Sequence, residues 1–249
     1  MIVSTEHKFI FISNPKCASS SIRRSLHEYH NHTIEEHLKK MGDWHDHLIA
    51  QEVYNRIGIF CNIKKYFIFT TIRNPWERVV SFYNYSARDK RGLAWFNENY
   101  DKNTAGQFPF ENYMEYLNTG PPKTEIELTL SLKEYNTGRI ELLNRWNNVA
   151  FPNINTVINH KNCNVVDKVY RSEDDFYKQI KTDFKKRNIN VHLRKFFLST
   201  NKKNHRMNGK IKNKKTLSFD YRKYYTRDKD IELVADRFKS DVEMGGYVF

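Results

Sequence analysis

Three stretches of the 249-residue chain follow one order: an apolar run, a short turn, then apolar residues recurring at helical spacing. Phe9 to Ile12, after Lys8, is an uninterrupted run of aromatic and β-branched residues, the pattern of a strand covered on both faces. It ends at Asn14-Pro15. Ile22, Leu26 and Tyr29 then share one helical face, with Ser19, Ser20 and Ser21 available as caps. The order returns at Tyr66 to Ile72, followed by Arg73-Asn74-Pro75 and by Val79, Val80 and Tyr83 at helical spacing; Pro75 suits a first helical turn. The third instance runs from Val165 to Tyr170. Ser172 with Asp175 three residues on reads as a capping box, before Phe176, Ile180 and Phe184 along one face. Repeated strand–helix units predict an α/β fold, a mainly parallel sheet flanked by helices. A further helix is expected from Pro109 through Leu117, with a turn over Asn118 to Pro122, and a C-terminal helix with Ile231, Val234, Ala235 and Phe238 on one face. Residues 86–107 are polar and irregular, the pattern of a loop over one end of the sheet.

Composition narrows the class. A content of 39% hydrophobic and 14% aromatic residues excludes a disordered chain, and the length suits one domain over residues 1–249. No run approaches the roughly 20 apolar residues of a membrane helix. With a mean hydropathy of −0.78, the expectation is a soluble, cytoplasmic protein. Cys17, Cys61 and Cys163 are odd in number and far apart, so neither a disulfide framework nor a paired-cysteine metal site is indicated.

Charge is uneven. Of a net +13, the window Lys185 to Lys215 holds twelve Lys/Arg and no Asp/Glu. Such a segment serves an anionic ligand or a nucleic acid, or is a solvated loop. Phe196, Phe197, Leu198 and Ile211 within it argue against a free tail.

The first two turns carry the candidate chemistry. In a parallel α/β sheet, ligands bind beyond the carboxyl ends of the strands, where helix N-terminal amides attract anions. Asn14 to Ser21 supplies one ammonium, three hydroxyls and several amides, a set that suits a tetrahedral anion. The glycines of a Walker A loop are absent, which disfavours a nucleotide kinase. Arg73 follows the second strand, and Ser81 lies two helical turns further on, so the pair can bracket a second phosphate. The plainer alternatives are an Arg73–Glu77 ion pair and serines that only cap.

Phe9 to Ile22 resembles the 5′-phosphosulfate loop of PAPS-dependent sulfotransferases. Ile72-Arg-Asn-Pro-Trp-Glu-Arg-Val-Val-Ser-Phe-Tyr83 resembles their 3′-phosphate motif, nearest to the carbohydrate branch with Golgi glycan and heparan 2-O enzymes and their bacterial relatives. Val166 to Glu173, His205-Arg-Met-Asn208 and the ending Asp241 to Phe249 are also similar, whereas residues 86–160 are largely unmatched. The resemblance implies a single sulfotransferase domain with a P-loop-like sheet. It also implies PAPS as sulfuryl donor with 3′,5′-ADP as product, no metal, and an acceptor that is a glycan or another hydroxyl-bearing molecule, anionic if the basic window serves it. Lys16 would hold the bridging oxygen and 5′-phosphosulfate with the Cys17 and Ala18 amides and Ser19, Ser20 and Ser21. Arg73 and Ser81 would bind the 3′-phosphate, and Lys210 and Lys212 are further candidate cofactor contacts.

The acceptor hydroxyl needs a base, and a histidine has a suitable ordinary pKa. The resemblance implies a histidine between the two turns followed by a small or apolar stretch; within Asp43 to Ala50 His47 fits that best, with His45 its close competitor. His45-x-His47 as a metal site lacks a clear third ligand. The usual Golgi anchor is missing, which suggests a bacterial or viral soluble enzyme, with a lumenal catalytic fragment of a Golgi enzyme as the alternative. The rival function is a basic nucleic-acid-binding protein using residues 185–215, which would not need the two phosphate turns.

Overall fold

The computed structural model describes residues 1–40, 48–88, 109–119, 154–161, 163–193 and 220–249. The chain divides into two compact units, Met1–Ile72 with Thr156–Asp220, and Arg73–Asn155 with Tyr221–Phe249. In chain order the elements are β1 (Ile2–Ser4), β2 (Phe9–Ile12), α1 (Ser19–Leu26), α2 (His32–Lys39), α3 (Ala50–Ile57), β3 (Phe67–Ile72), α4 (Pro75–Arg88) and α5 (Phe110–Thr119). They continue with α6 (Ile154–Ile158), β4 (Asn159–His160), β5 (Cys163–Asn164), β6 (Lys168–Arg171), α7 (Phe176–Lys186), a 3-10 turn (Tyr221–Tyr224), α8 (Asp228–Arg237) and α9 (Lys239–Gly245).

The first unit is built on a four-stranded sheet ordered β1-β2-β3-β6. The three strands expected from the sequence, β2, β3 and β6, are parallel, with Phe9 opposite Phe67, Ile12 opposite Thr70 and Ile72 opposite Arg171. β1 was not expected. It is three residues long, too short for a periodic signal, and pairs antiparallel on the edge with Val3 opposite Ile10. Every residue of β2 and β3 is buried, as runs without alternation require. One face packs Phe9, Phe11, Phe67 and Phe69 against Ile22 and Leu26 of α1 and Tyr177, Ile180 and Phe184 of α7. Fully burying one such side chain stabilises by about 1.5–3 kcal/mol, so this aromatic layer fixes the sheet on which the turns stand.

Helix starts differ from expectation in two places. α1 has Ala18 at its N-cap with no side-chain cap, so Ser19, Ser20 and Ser21 form its first turn instead. α7 is capped by Asp175, whose carboxylate accepts from the Lys178 N–H at 3.3 Å. Ser172 is not the cap because its N–H continues the sheet pairing, donating to the Ile72 carbonyl at 2.8 Å.

The second unit joins α4, α5, α8, α9 and the 3-10 turn. Trp76 Nε1 donates to the Ile231 carbonyl at 3.0 Å, and Tyr225 OH donates to the Trp76 carbonyl at 2.9 Å. Phe110 lies among the rings of Tyr83, Tyr224 and Tyr225 at centroid distances of 5.1–5.5 Å. Residues 86–88 belong to α4 and 118–119 to α5, since the helical hydrogen bonding runs past the polar residues read as loop and turn. The expected C-terminal helix is two, α8 and α9, meeting at Phe238. Among the described residues no helix is long and apolar enough to cross a membrane.

Candidate functional site

The segment between β2 and α1 is held from both sides. Asn14 Nδ2 donates to the Thr71 carbonyl at 3.0 Å, and Thr71 Oγ1 donates to the Cys17 carbonyl. Within the turn, the Cys17 N–H donates to the Asn14 carbonyl at 3.3 Å and the Cys17 thiol to the Pro15 carbonyl at 3.3 Å. Ser13, Asn14, Pro15 and Cys17 are buried, whereas Lys16 is partly exposed.

This clamp holds an unusual backbone. Lys16 and Ala18 both take left-handed conformations, with φ of 62° and 61°. Neither is glycine, so each costs about 1–2 kcal/mol, a strain that persists only where surrounding contacts over-determine the turn. The consequence is a helix whose first carbonyl bonds are made by Ser21 and Ile22, both to the Ala18 carbonyl, at 3.0 and 3.3 Å. The Ser19 and Ser20 N–H groups precede those bonds, at the positive end of the helix and with no acidic residue in its first turn. Ser20 is exposed and Ser21 partly so, while Ser19 is buried. An ammonium, helix-start amides and accessible hydroxyls on one turn are anion-binding chemistry, and they fit a phosphosulfate. Cys17 shapes the turn instead, since its side chain is buried and its N–H is engaged with the Asn14 carbonyl.

In the second unit, Arg73 precedes α4 and Asn74 caps it, the Asn74 Oδ1 accepting from the Trp76 and Glu77 N–H groups at 3.1 and 3.3 Å. Asn74 Nδ2 donates to Tyr221 OH at 3.3 Å. Arg73 pairs with Glu77 through Nη2 and Oε1, the plainer alternative weighed for it. Ser81 stands one turn beyond Glu77 on α4, while Arg73 lies just before the cap.

The helix is anchored from behind. Arg78 is fully buried, its Nη1 3.4 Å from Asp241 Oδ1, and Asp241 Oδ2 accepts from the Ile154 N–H at 2.7 Å. Burial pushes the Asp241 carboxyl up, and the Arg78 guanidinium pulls against that shift. Burial likewise raises the Tyr83 phenol, reinforced by Tyr224 and Glu111.

The structure therefore brings Lys16, Cys17, Ala18, Ser19, Ser20 and Ser21 onto one turn, and sets Arg73 just before α4, which carries Ser81. His45, His47, Lys210 and Lys212 lie outside the described residues, as does the basic window beyond residue 193. Asn14, Thr71, Asn74, Arg78 and Asp241 were not singled out from the sequence. Asn74 alone carried a local signal, a capping residue type directly before a proline. Among the described residues, no group of three His, Cys, Asp or Glu could hold a metal ion.

A family model described as the Sulfotransferase family matches residues 1–248. No curated protein matches the chain, and neither does any solved structure.

Proposed function

The chain belongs to the sulfotransferase family, and from that premise we propose that it moves a sulfuryl group from PAPS to a hydroxyl of a carbohydrate acceptor. One observation carries the reading: the strained turn at Lys16 and Ala18, clamped by Asn14 and Thr71, carries a lysine and the start of a helix without a side-chain cap, and lacks the glycines of an ATP-binding loop.

In the proposed reaction the acceptor oxygen bonds to sulfur as the bond from sulfur to the bridging 5′-phosphate oxygen breaks, and 3′,5′-ADP departs. PAPS supplies the sulfuryl group. Lys16 neutralises the charge growing on the departing oxygen, with the Ala18, Ser19 and Ser20 amides and the hydroxyls of Ser20 and Ser21 around the phosphosulfate. Buried Ser19 and Cys17 shape the turn. Arg73 and Ser81 take the 3′-phosphate, which separates this donor from ATP. The acceptor proton passes to a histidine, for which His47 is proposed and His45 is the alternative. Lys210 and Lys212 are proposed as further contacts to the donor.

Incubation with isotopically labelled PAPS and a panel of glycans, small alcohols and phenols tests this. Label transfer to a glycan supports it; no transfer to any hydroxyl, together with equal affinities for 3′,5′-ADP and 5′-AMP, would refute it.

A further inference from the structure

Resting on the assignment of Arg73 and Ser81 to the 3′-phosphate, we infer that Glu77 is a built-in competitor for that phosphate, occupying Arg73 when the nucleotide is absent and loosening 3′,5′-ADP when it is present. Glu77 lies four residues after Arg73, with which it pairs, and four before Ser81, one turn further along α4. Arg73 Nη2 and Glu77 Oε1 are already joined, and both side chains are about one quarter exposed, at 24% and 23%. A 3′-phosphate that engages Arg73 and Ser81 together must therefore open or share this pair.

The energetics allow the exchange. A partly exposed carboxylate–guanidinium pair is weak, whereas a phosphate dianion makes stronger charge-assisted bonds to the same guanidinium. Once displaced, the Glu77 carboxylate stays on the same helix, one turn from Ser81, and repels the dianion. Glu77 also sits in the first turn of α4, where a negative charge suits the helix start. Asn74 already caps that turn through two N–H groups, so the helix start does not depend on Glu77. The net effect is a site that recognises the 3′-phosphate without retaining the product.

The test is calorimetric titration of wild type, Glu77→Gln and Arg73→Ala with 3′,5′-ADP and with 5′-AMP. The wild type is expected to favour 3′,5′-ADP, and Arg73→Ala to lose that preference. Glu77→Gln is expected to bind 3′,5′-ADP about two- to fivefold tighter, the range a weak surface pair implies, with 5′-AMP unchanged. A solely structural Glu77 would shift thermal stability but leave the ratio of the two affinities alone. Glu77→Asp, which keeps the charge on a shorter arm, covers a folding failure of the Gln variant and is expected to tighten 3′,5′-ADP through the lost contact with Arg73.

If the wild type prefers 3′,5′-ADP and Arg73→Ala abolishes the preference while Glu77→Gln binds it equally or more weakly, the competitor role is overturned and the phosphate assignment stands. If the wild type shows no preference, the phosphate assignment fails and the competitor role with it.

Discussion

Removing Asp241 should destabilise the protein strongly. Asp241→Ala deletes the carboxylate 3.4 Å from Arg78 Nη1, and both side chains are at most 1% exposed. A buried guanidinium that loses its carboxylate costs about 3–5 kcal/mol. The Ile154 N–H also loses its 2.7 Å acceptor, worth about 1–3 kcal/mol where the donor stays buried. These losses share one cavity and do not simply add, so about 4 kcal/mol is the working expectation. That is a large share of the roughly 5–15 kcal/mol that holds a typical protein folded. Arg78→Met should cost about 3 kcal/mol or more, since it strands a carboxylate that burial already pushes toward the neutral form. The double variant Arg78→Met/Asp241→Ala has no orphan charge, and should lie within about 1–3 kcal/mol of wild type, mainly the unmet Ile154 amide. Urea unfolding followed by circular dichroism measures all three. Additive losses in the double variant would show that the two side chains are not coupled, and the account of how α4 is anchored would fail.

Three other outcomes are expected. Lys16→Ala should keep the wild-type unfolding midpoint within about 0.5 kcal/mol, as a partly exposed side chain allows, while sulfuryl transfer falls at least about a hundredfold; retained turnover of labelled PAPS would remove Lys16 from the chemistry. Thr71→Val keeps the shape but takes the donor from the buried Cys17 carbonyl, costing about 1–3 kcal/mol. Thr71→Ser keeps the donor, so it should retain 3′,5′-ADP affinity better than the valine variant, and the reverse order by titration would discount the clamp. His30 is buried beside Val3 and held below its ordinary value of 6.5 by desolvation, so the unfolded chain binds the extra proton first. Stability should be intact above about pH 6.5 and fall as pH drops below it. A His30→Gln variant with the same slope between pH 5 and 6.5 as wild type would assign that loss elsewhere.

Burial in this chain is a local property, and it was readable. Phe9 to Ile12 is apolar at every position, and Phe67 to Ile72 at all but Thr70 and Thr71, because both faces of their strands are covered, and no partner need be known to see that. The same holds for Pro75 at the start of α4. Short or strained features left no such trace. β1 is below the length of any period, and the left-handed backbone at Lys16 and Ala18 lacks the glycine that ordinarily announces it.

The hydrophobic order thus determined a parallel sheet with strand-to-helix turns at its carboxyl ends, because periodicity and residue type act over a few neighbouring positions. Partners distant along the chain emerged on folding. Asn14 finds the Thr71 carbonyl 57 residues away and Arg78 finds Asp241 163 residues away. Those pairings depend on directions and distances that exist once the layers have packed, and they fix the turn that carries Lys16 and the helix that follows Arg73.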